Sequence, residues 1–355
     1  DTRKLRRVCF WPLFVAGCIG LAVVLAIDDY SWQTWEFSEG SPDFSPGHII
    51  RSIIICLSVF GSLWSFIWGK RLKFSLTSDG VMPIERGIVS LSLMIAILFL
   101  LCFLFYPPYF SALSLEDGPI EWGSALWALA GSLLFVLAFI KSRTSRLGWA
   151  FQMTCLVFAV IYFLISMEEV SWFQRVVDIK TPGMFEDNAQ HEVNLHNFAT
   201  AYFENAYYFG TFLFLVALPY LYKVVPSFSQ SNYLQLFVPR PFIAVIAALA
   251  CAYNFDMWDI IFMQISFFSA VFILTALAVY NDDRHEKYLT AAILAVIIIS
   301  QTAFLLNGIQ FARIWEVTEY KEFIIPMALF VYSLDVLSRI KQAVPGETAP
   351  GKIAG

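Results

Sequence analysis

Ionisable side chains cluster between two apolar runs in the middle of the chain. Glu168 and Glu169 end the first run, Arg175 follows, and His191 and His196 precede the second run. Carboxylates and imidazoles transfer protons near neutral pH, and a guanidinium binds phosphate or carboxylate groups. These residue types predict either acid–base catalysis or the binding of a charged ligand in this segment.

A divalent metal site is one interpretation of the segment. Glu192 and His196 lie one turn apart if the chain there is helical, and Glu169 can add a ligand from the preceding run. Mixed imidazole and carboxylate ligands suit zinc, manganese or iron. His191 and His196 are five residues apart, which differs from the spacing of the zinc peptidase motif. The sequence therefore leaves the metal, and any other cofactor, open.

Catalysis without a metal is the rival interpretation. His196 would act as general base, Glu168 or Glu169 would orient it, and a guanidinium would hold a phosphate. The same residues can instead form a purely structural network that satisfies polar groups where water is scarce. The candidate catalytic residues are Glu168, Glu169, His191 and His196, and the candidate substrate-binding residues of this segment are Arg175 and Asn197.

A second polar constellation precedes the last apolar run. Arg313 and Glu316 are three residues apart, and Tyr320 follows four residues later, so the three share one face of a helix. Arg313 is either an internal ion-pair partner or an anion-binding residue. We therefore add Arg313 and Glu316 to the candidate substrate-binding residues.

The composition identifies the class of protein that must position these side chains. Of 355 residues, 59% are hydrophobic and 14% are charged. Soluble domains carry roughly 25% charged residues and less apolar surface, so the excess must face lipid. This excludes a cytosolic enzyme, a disordered chain and a nucleic-acid-binding protein.

Apolar runs of membrane length recur along the whole chain. A helix needs about 20 apolar residues to cross a bilayer, and these runs lack the alternation of a membrane β-barrel. The sequence predicts an all-α bundle of about ten transmembrane helices, over residues 10–27, 49–69, 87–106, 119–140, 147–167, 199–222, 239–256, 259–280, 288–308 and 323–340.

The charges alternate in sign between the segments that connect these spans. If the N-terminus is inside, every Lys and Arg falls on the inner side except Arg51, Arg175, Lys180, Arg313 and Lys321. Basic residues collect on the cytoplasmic side of membrane proteins, so both termini should be cytoplasmic. Most Asp and Glu residues fall on the outer side. We expect one polytopic domain over 1–343, with the outer loop 168–198 as its functional segment, and a flexible cytoplasmic tail over 344–355.

The segment after the fifth span also carries a resemblance. It resembles a stretch found in uncharacterised bacterial multi-pass membrane proteins, which implies a bacterial inner-membrane protein and brings no activity with it. Residues 195–198 are also similar to the His-Asn signature of lipid-linked glycan ligases, which implies a polyprenyl-linked substrate. The first resemblance is carried by Glu168-Glu169-Val170-Ser171-Trp172, Gln174-Arg175, Thr181-Pro182 and Asn194-Leu195-His196-Asn197.

These observations predict an enzyme at the periplasmic face of the inner membrane. Its substrate would be lipid-linked or carry a lipid headgroup, and its reaction would be glycosyl- or phospho-group transfer or hydrolysis. The alternatives are a non-catalytic subunit or scaffold that binds other membrane subunits, and a secondary transporter. An enzyme requires an outer pocket where His196 meets Glu168 or Glu169, whereas a transporter requires broken helices and a polar site near mid-membrane.

Overall fold

The structure is a computed structural model that describes most of the chain. The histidines His191 and His196, together with Glu192, Asn197 and the tail 344–355, lie outside the described residues. The described residues are 2–32, 37, 39–70, 72–76, 82–143, 148–178, 180–183, 193–194, 198–225 and 232–343.

Helices account for nearly all regular structure in this part of the chain, and no strand occurs in it. Nine helical segments there are long and apolar enough to cross a membrane, which indicates a multi-pass membrane protein. The expected all-α membrane fold is thus confirmed. The helices are α1 (Thr2–Ile27), α2 (Pro46–Ile67), α3 (Met82–Phe105), α4 (Pro107–Leu113), α5 (Pro119–Ser142), α6 (Trp149–Glu169), α7 (Gln174–Val177), α8 (Thr200–Phe212), α9 (Leu218–Val224), α10 (Asn232–Phe237), α11 (Pro241–Ala247), α12 (Ile261–Val279), α13 (Arg284–Leu306) and α14 (Glu316–Ala343).

The helices α12 and α14 form the centre of the bundle. The protein itself buries 72% of the apolar window of α12 and 67% of that of α14, against 17% for α1. The peripheral helices instead present large apolar side chains such as Leu57, Leu98 and Leu133 on their outer surfaces. Such surfaces are stable against lipid.

The predicted span 239–256 is not a membrane-length helix. α11 continues as a 3₁₀ turn to Ala252, and the apolar helix Pro241–Ala252 covers only about 20 Å of the ~30 Å hydrocarbon core. Side chains from Phe242 to Trp258 are buried in protein. We call the segment 241–260 the interrupted segment. The sequence does not reveal this difference, because an apolar run does not show whether protein or lipid surrounds it.

The interrupted segment nevertheless connects the two ends of the bundle. At its start, the Arg240 guanidinium lies 2.8 Å from the Glu85 carboxylate and also pairs with Asp335 near the end of α14. Near its far end, both Asp256 carboxylate oxygens accept from the Thr318 hydroxyl at the start of α14. The chain therefore passes through the protein interior from one end of α14 to the other.

Lys and Arg residues tie helices together at the end of the bundle that carries Arg240, which we call the basic end. Lys70 donates to the carbonyl oxygen of Val224 at 2.7 Å. Arg86 forms an ion pair of 2.7 Å with Asp283, which precedes α13. We call the opposite end, which carries Asp28 and Glu316, the acidic end.

The helices α1 and α2 approach each other closely at two glycines of α1. A Cβ atom on Gly17 would lie 2.1 Å from the Ser62 hydroxyl oxygen and 2.6 Å from the Ser58 carbonyl oxygen. A Cβ atom on Gly20 would lie 2.1 Å from the Ser58 hydroxyl oxygen. Small residues at such contacts let membrane helices pack backbone to backbone.

Candidate functional site

The two acids predicted from sequence point in different directions at the end of α6. Glu168 accepts a hydrogen bond of 3.0 Å from the Trp172 indole at the protein surface. Glu169 turns inward, within hydrogen-bonding reach of the Ser124 hydroxyl and within electrostatic reach of Glu322. Glu169 is therefore the member of the predicted set that enters the protein interior.

A strained turn follows Glu169 immediately. Ser171, Trp172 and Phe173 have φ angles of 45°, 52° and 59°, in the left-handed region that non-glycine residues seldom adopt. Each such residue costs on the order of 1–3 kcal/mol and persists only where its surroundings hold it. Here the Asn194 amide donates to the Ser171 hydroxyl at 3.1 Å.

The predicted outer loop is anchored on this turn at both of its described parts. The Gln174 side chain donates to the Thr181 hydroxyl at 2.9 Å and accepts from the Val193 backbone amide at 2.6 Å. Glu192 and the two histidines of the loop lie outside the described residues. Their predicted roles as catalytic groups or metal ligands stay predictions, as does the role of Asn197.

The two arginines predicted to bind substrate join separate helix ends. Arg175 forms an ion pair of 3.0 Å with Asp117 in the turn before α5. Arg313 donates to the Ser114 carbonyl oxygen at 2.9 Å. Glu316 is buried and accepts from the Arg313 backbone amide at 3.1 Å, so both residues close the start of α14. Arg313 also lies within electrostatic reach of Glu319.

Carboxyl groups from four helices gather around Glu169. We call this set the acid cluster: Glu121 of α5, Glu169 of α6, Glu204 of α8, and Glu319 and Glu322 of α14. Each keeps a partly accessible surface although it lies inside the bundle. Glu322 is within electrostatic reach of Glu169, Glu204 and Glu319, and it accepts a 2.5 Å hydrogen bond from the Tyr208 hydroxyl.

The acid cluster is continuous with the surface of the acidic end. The Glu204 carboxyl shares a hydrogen bond with the carboxyl of Glu39, which is exposed. On the other side of the cluster, Glu319 lies within electrostatic reach of Glu116, whose side chain is 68% exposed. A charged solute or a proton therefore meets carboxyl groups from the surface inward.

A buried lysine lies beside the acid cluster. Lys321 is 2% exposed, and its ammonium nitrogen lies 4.4 Å from the centroid of the Tyr208 ring and 3.8 Å from the Met263 sulfur. It lines a narrow pocket, which we call the Lys321 pocket, and the pocket's empty space of about 300 Å³ includes the part that is open to solvent. Other residues that line it are Thr211, Cys251, Asn254, Ser266 and Ile325.

Asp256 of the interrupted segment faces the same region. Its side chain is 2% exposed, and its carboxylate oxygens lie 2.6 and 2.8 Å from the Thr318 hydroxyl oxygen. Burial raises the pKa of Asp256 to about 6, although the Lys321 charge and the Thr318 hydrogen bond oppose the shift. This carboxyl group can therefore exchange a proton near neutral pH.

Most of these residues are not recognisable as site residues from the sequence. Glu204, Glu319 and Glu322 are outer acids in the sequence, but nothing in their spacing shows that α6, α8 and α14 meet. The available signal is local: Glu319 and Glu322 are three residues apart on one helix face, directly before the last apolar run. Ionisable residues at the end of a membrane span are expected to face protein or water instead of lipid.

No metal site is present within the described part of the chain, where no three His, Cys, Asp or Glu side chains are arranged to hold an ion. Of the predicted ligands Glu169, Glu192 and His196, this part contains Glu169. Comparison with protein families, with curated proteins and with solved structures gives no match.

Proposed function

We propose that this protein is a secondary transporter that couples the movement of a small ionic solute to protons. The observation that carries the proposal is the Lys321 pocket, which adjoins both the acid cluster and the interrupted segment. Transporters bind their substrates at polar sites beside helices that end inside the membrane. Buried ionisable groups destabilise an apolar bundle, so their presence indicates a function such as substrate binding.

The depth of the pocket supports transport. Ile325 lines it and lies nine residues after Glu316, the first residue of α14. At 1.5 Å per residue, the pocket extends about 14 Å into the bundle, which is near half of the ~30 Å hydrocarbon core. A site for a membrane-bound substrate would be expected closer to the headgroups.

The acidic end has accessible carboxyl groups, whereas ion pairs close the basic end. This difference supports alternating access. At the acidic end, carboxyl groups lead from exposed Glu39 to the interior. At the basic end, Arg240 pairs with Glu85 and Asp335, and Arg339 also pairs with Asp335. These ion pairs join α3, α14 and the interrupted segment, so they act as a closed gate in this conformation.

The charges give the proposed transporter an orientation. Basic residues of membrane proteins collect on the cytoplasmic side, which places the basic end and both termini in the cytoplasm. The pocket then faces the outside of the cell in this conformation. Together with the resemblance to bacterial multi-pass proteins, this favours the bacterial inner membrane.

Proton movement in proteoliposomes tests the proposal. A pH-sensitive dye inside the vesicles reports proton entry when small carboxylates, alkylammonium ions or neutral sugars are added separately. We expect one ionic class to drive proton movement in the wild-type protein. Glu204→Gln and Glu322→Gln should abolish the signal, and the exposed control Asp29→Asn should retain it. The absence of any solute-dependent signal would reject transport.

An enzyme at the acidic end is the second candidate. The observation that favours it is that Glu169, predicted from sequence as catalytic, does enter the acid cluster. The loop that carries His191 and His196 is anchored through Asn194 on the turn that follows Glu169. The proposed chemistry is acid–base transfer or hydrolysis on a lipid-linked or headgroup-bearing substrate.

Mass spectrometry of lipids incubated with the purified protein tests the second candidate. An enzyme should release a product, and His196→Ala and Glu169→Gln should each abolish its formation while the melting temperature stays unchanged. Loss of folded protein in both variants would instead support a structural role. Proton movement without a lipid product would favour the transporter.

A further inference from the structure

The Lys321 ammonium lacks a neutralising partner within the described part of the chain. Its contacts there are the Met263 sulfur and the Tyr208 ring, and it forms no ion pair with a carboxylate. The nearest acids, Asp256, Glu204 and Glu322, act on it through longer electrostatic interactions. A buried charge without a hydrogen-bonded counter-charge is strongly destabilising. A buried lysine therefore either releases its proton or takes a counter-charge, and an anion in the pocket would supply that counter-charge.

The surroundings of the ammonium restrict the kind of anion. Phe212, Ile325 and two alanines give the Lys321 pocket apolar walls. The Asn254 side chain is 1% exposed, and its amide oxygen has no hydrogen-bond partner. Such a pocket suits a ligand with one anionic head and an apolar body, and it disfavours a multiply charged phosphate.

We infer that the Lys321 pocket binds a small organic monocarboxylate, with its carboxylate on the Lys321 ammonium and its apolar body against Phe212 and Ile325. The inference rests on the proposed function for its physiological meaning, because it names the solute that the transporter would carry. A ligand with a hydroxyl group beside the carboxylate would also satisfy the amide oxygen of Asn254. Binding forms no covalent bond.

Binding of a carboxylate would couple to a proton through Asp256. The charged or titratable groups that act on Asp256 are Lys321, Glu39, Glu204 and Tyr208. In the empty site the Lys321 charge favours ionised Asp256. A bound carboxylate neutralises that charge, so Asp256 takes up a proton from solvent and the anion and proton enter together.

Calorimetry on the purified full chain in detergent tests the inference with three probes of one skeleton. We expect 4-methylpentanoate to bind, 4-methylpentanamide to bind about tenfold or more weakly, and 4-methylpentylammonium not to bind. Preferred binding of the ammonium probe, equal binding of all three, or no binding of the carboxylate would each overturn the inference.

Two variants locate the binding site. Lys321→Met should abolish binding of 4-methylpentanoate, and Ser266→Leu, which fills the pocket, should do the same. Lys70→Met changes a lysine at the basic end and should bind like the wild type. The melting temperature of Lys321→Met should be equal or higher, because a buried charge is removed. Retained binding in folded Lys321→Met would reject the proposed site.

Measurements of proton uptake and of flux test carboxylate binding and transport separately. In weakly buffered detergent solution near pH 7, binding of 4-methylpentanoate should remove protons from solution, and Asp256→Asn should reduce the uptake. Carboxylate binding without flux in liposomes would leave the site standing and reject transport. Flux driven by another solute, with no carboxylate binding, would leave transport standing and reject the inference.

Discussion

Two buried basic residues at the acidic end differ in their partners. The difference distinguishes a residue with a structural role from one that we propose binds a ligand. Arg51 and Asp28 are both buried and form a bidentate pair of 2.7 and 2.5 Å. A guanidinium at the start of a span would be expected to extend toward the headgroups. That expectation is wrong for Arg51, which turns inward to Asp28. Lys321, by contrast, forms no such pair within the described part of the chain.

Removal of one partner from the Arg51 pair should destabilise the protein. Asp28→Asn leaves a buried guanidinium without its counter-charge, which costs about 3–5 kcal/mol. Thermal unfolding in detergent should show a clear fall in Tm. Asp29 is exposed beside it, so Asp29→Asn is the matched control and should melt like the wild type. Equal melting of both variants would contradict the structural role of the pair.

Asp256 should make the stability of the protein depend on pH. Its pKa in the folded protein is about 6, above the ordinary 3.8, so between these values the folded state holds a proton that the unfolded state has released. Stability from this group is therefore lost as pH rises from about 4 to 6, and the full cost is present above pH 6.

Comparison of Asp256→Asn with the wild type isolates this effect. The two proteins should be similar near pH 4. The variant should then be more stable by a margin that grows to about 3 kcal/mol near pH 7. Urea unfolding at several pH values measures the margin. A constant difference across this range would show that Asp256 is ionised at all of them.

At the residue scale, the sequence predicts one part of the site and not the rest. Glu169 is predictable because an acid at the end of an apolar run must face protein or water. Lys321 is not predictable, because the sequence shows only that it is one of the few basic residues on the outer side. Its burial depends on contacts with Tyr208 and Met263, which are distant in sequence.

At the element scale, hydropathy predicts the long apolar helices well but does not reveal that the helix of the interrupted segment is short. Nine of the predicted spans correspond to long apolar helices in the described part of the chain. The segment 241–260 is also apolar, but it is enclosed by protein, and its helix ends at Ala252, just before Asn254 and Asp256. Hydropathy measures the residues themselves and not their neighbours, so it cannot separate these cases.

The packing of α1 against α2 should depend on Gly17. A Cβ atom there would meet both a side chain and a backbone carbonyl of α2, so Gly17→Ala must push the helices apart. Overpacking of this kind costs about 1–3 kcal/mol. Gly210→Ala is the control, because nothing lies within 4 Å of its added Cβ atom.

Thermal unfolding of these two alanine variants in detergent measures the effect. Gly17→Ala should have a lower Tm than the wild type. Gly210→Ala should match or exceed the wild type, since alanine favours helices by about 0.5–1 kcal/mol over glycine. A Tm for Gly17→Ala at or above that of Gly210→Ala would contradict the close contact.

At the scale of the whole molecule, charge sign predicts which helix ends belong together. The basic connecting segments predicted as inner do meet at one end, where Lys70 reaches Val224 and Arg86 reaches Asp283. The alternation of basic and acidic connecting segments along the chain is sufficient for this prediction. The location of the pocket could not be predicted, because it depends on how α8, α14 and the interrupted segment pack.

The orientation in the membrane can be tested with two exposed positions. Glu116 at the acidic end has a side-chain exposure of 68%, and Asp282 at the basic end has one of 74%. In a chain without other cysteines, an impermeant thiol reagent added to intact cells should label Glu116→Cys and spare Asp282→Cys. The reverse pattern would place the basic end outside and reject the proposed orientation.

The most direct test of the account is accumulation of labelled 4-methylpentanoate in proteoliposomes under an imposed pH gradient. We expect uptake that requires a more acidic solution on the side of entry, stops when an ionophore collapses the gradient, and is lost in Lys321→Met. Uptake that is absent in the wild type, indifferent to the gradient, or unchanged in Lys321→Met would contradict it.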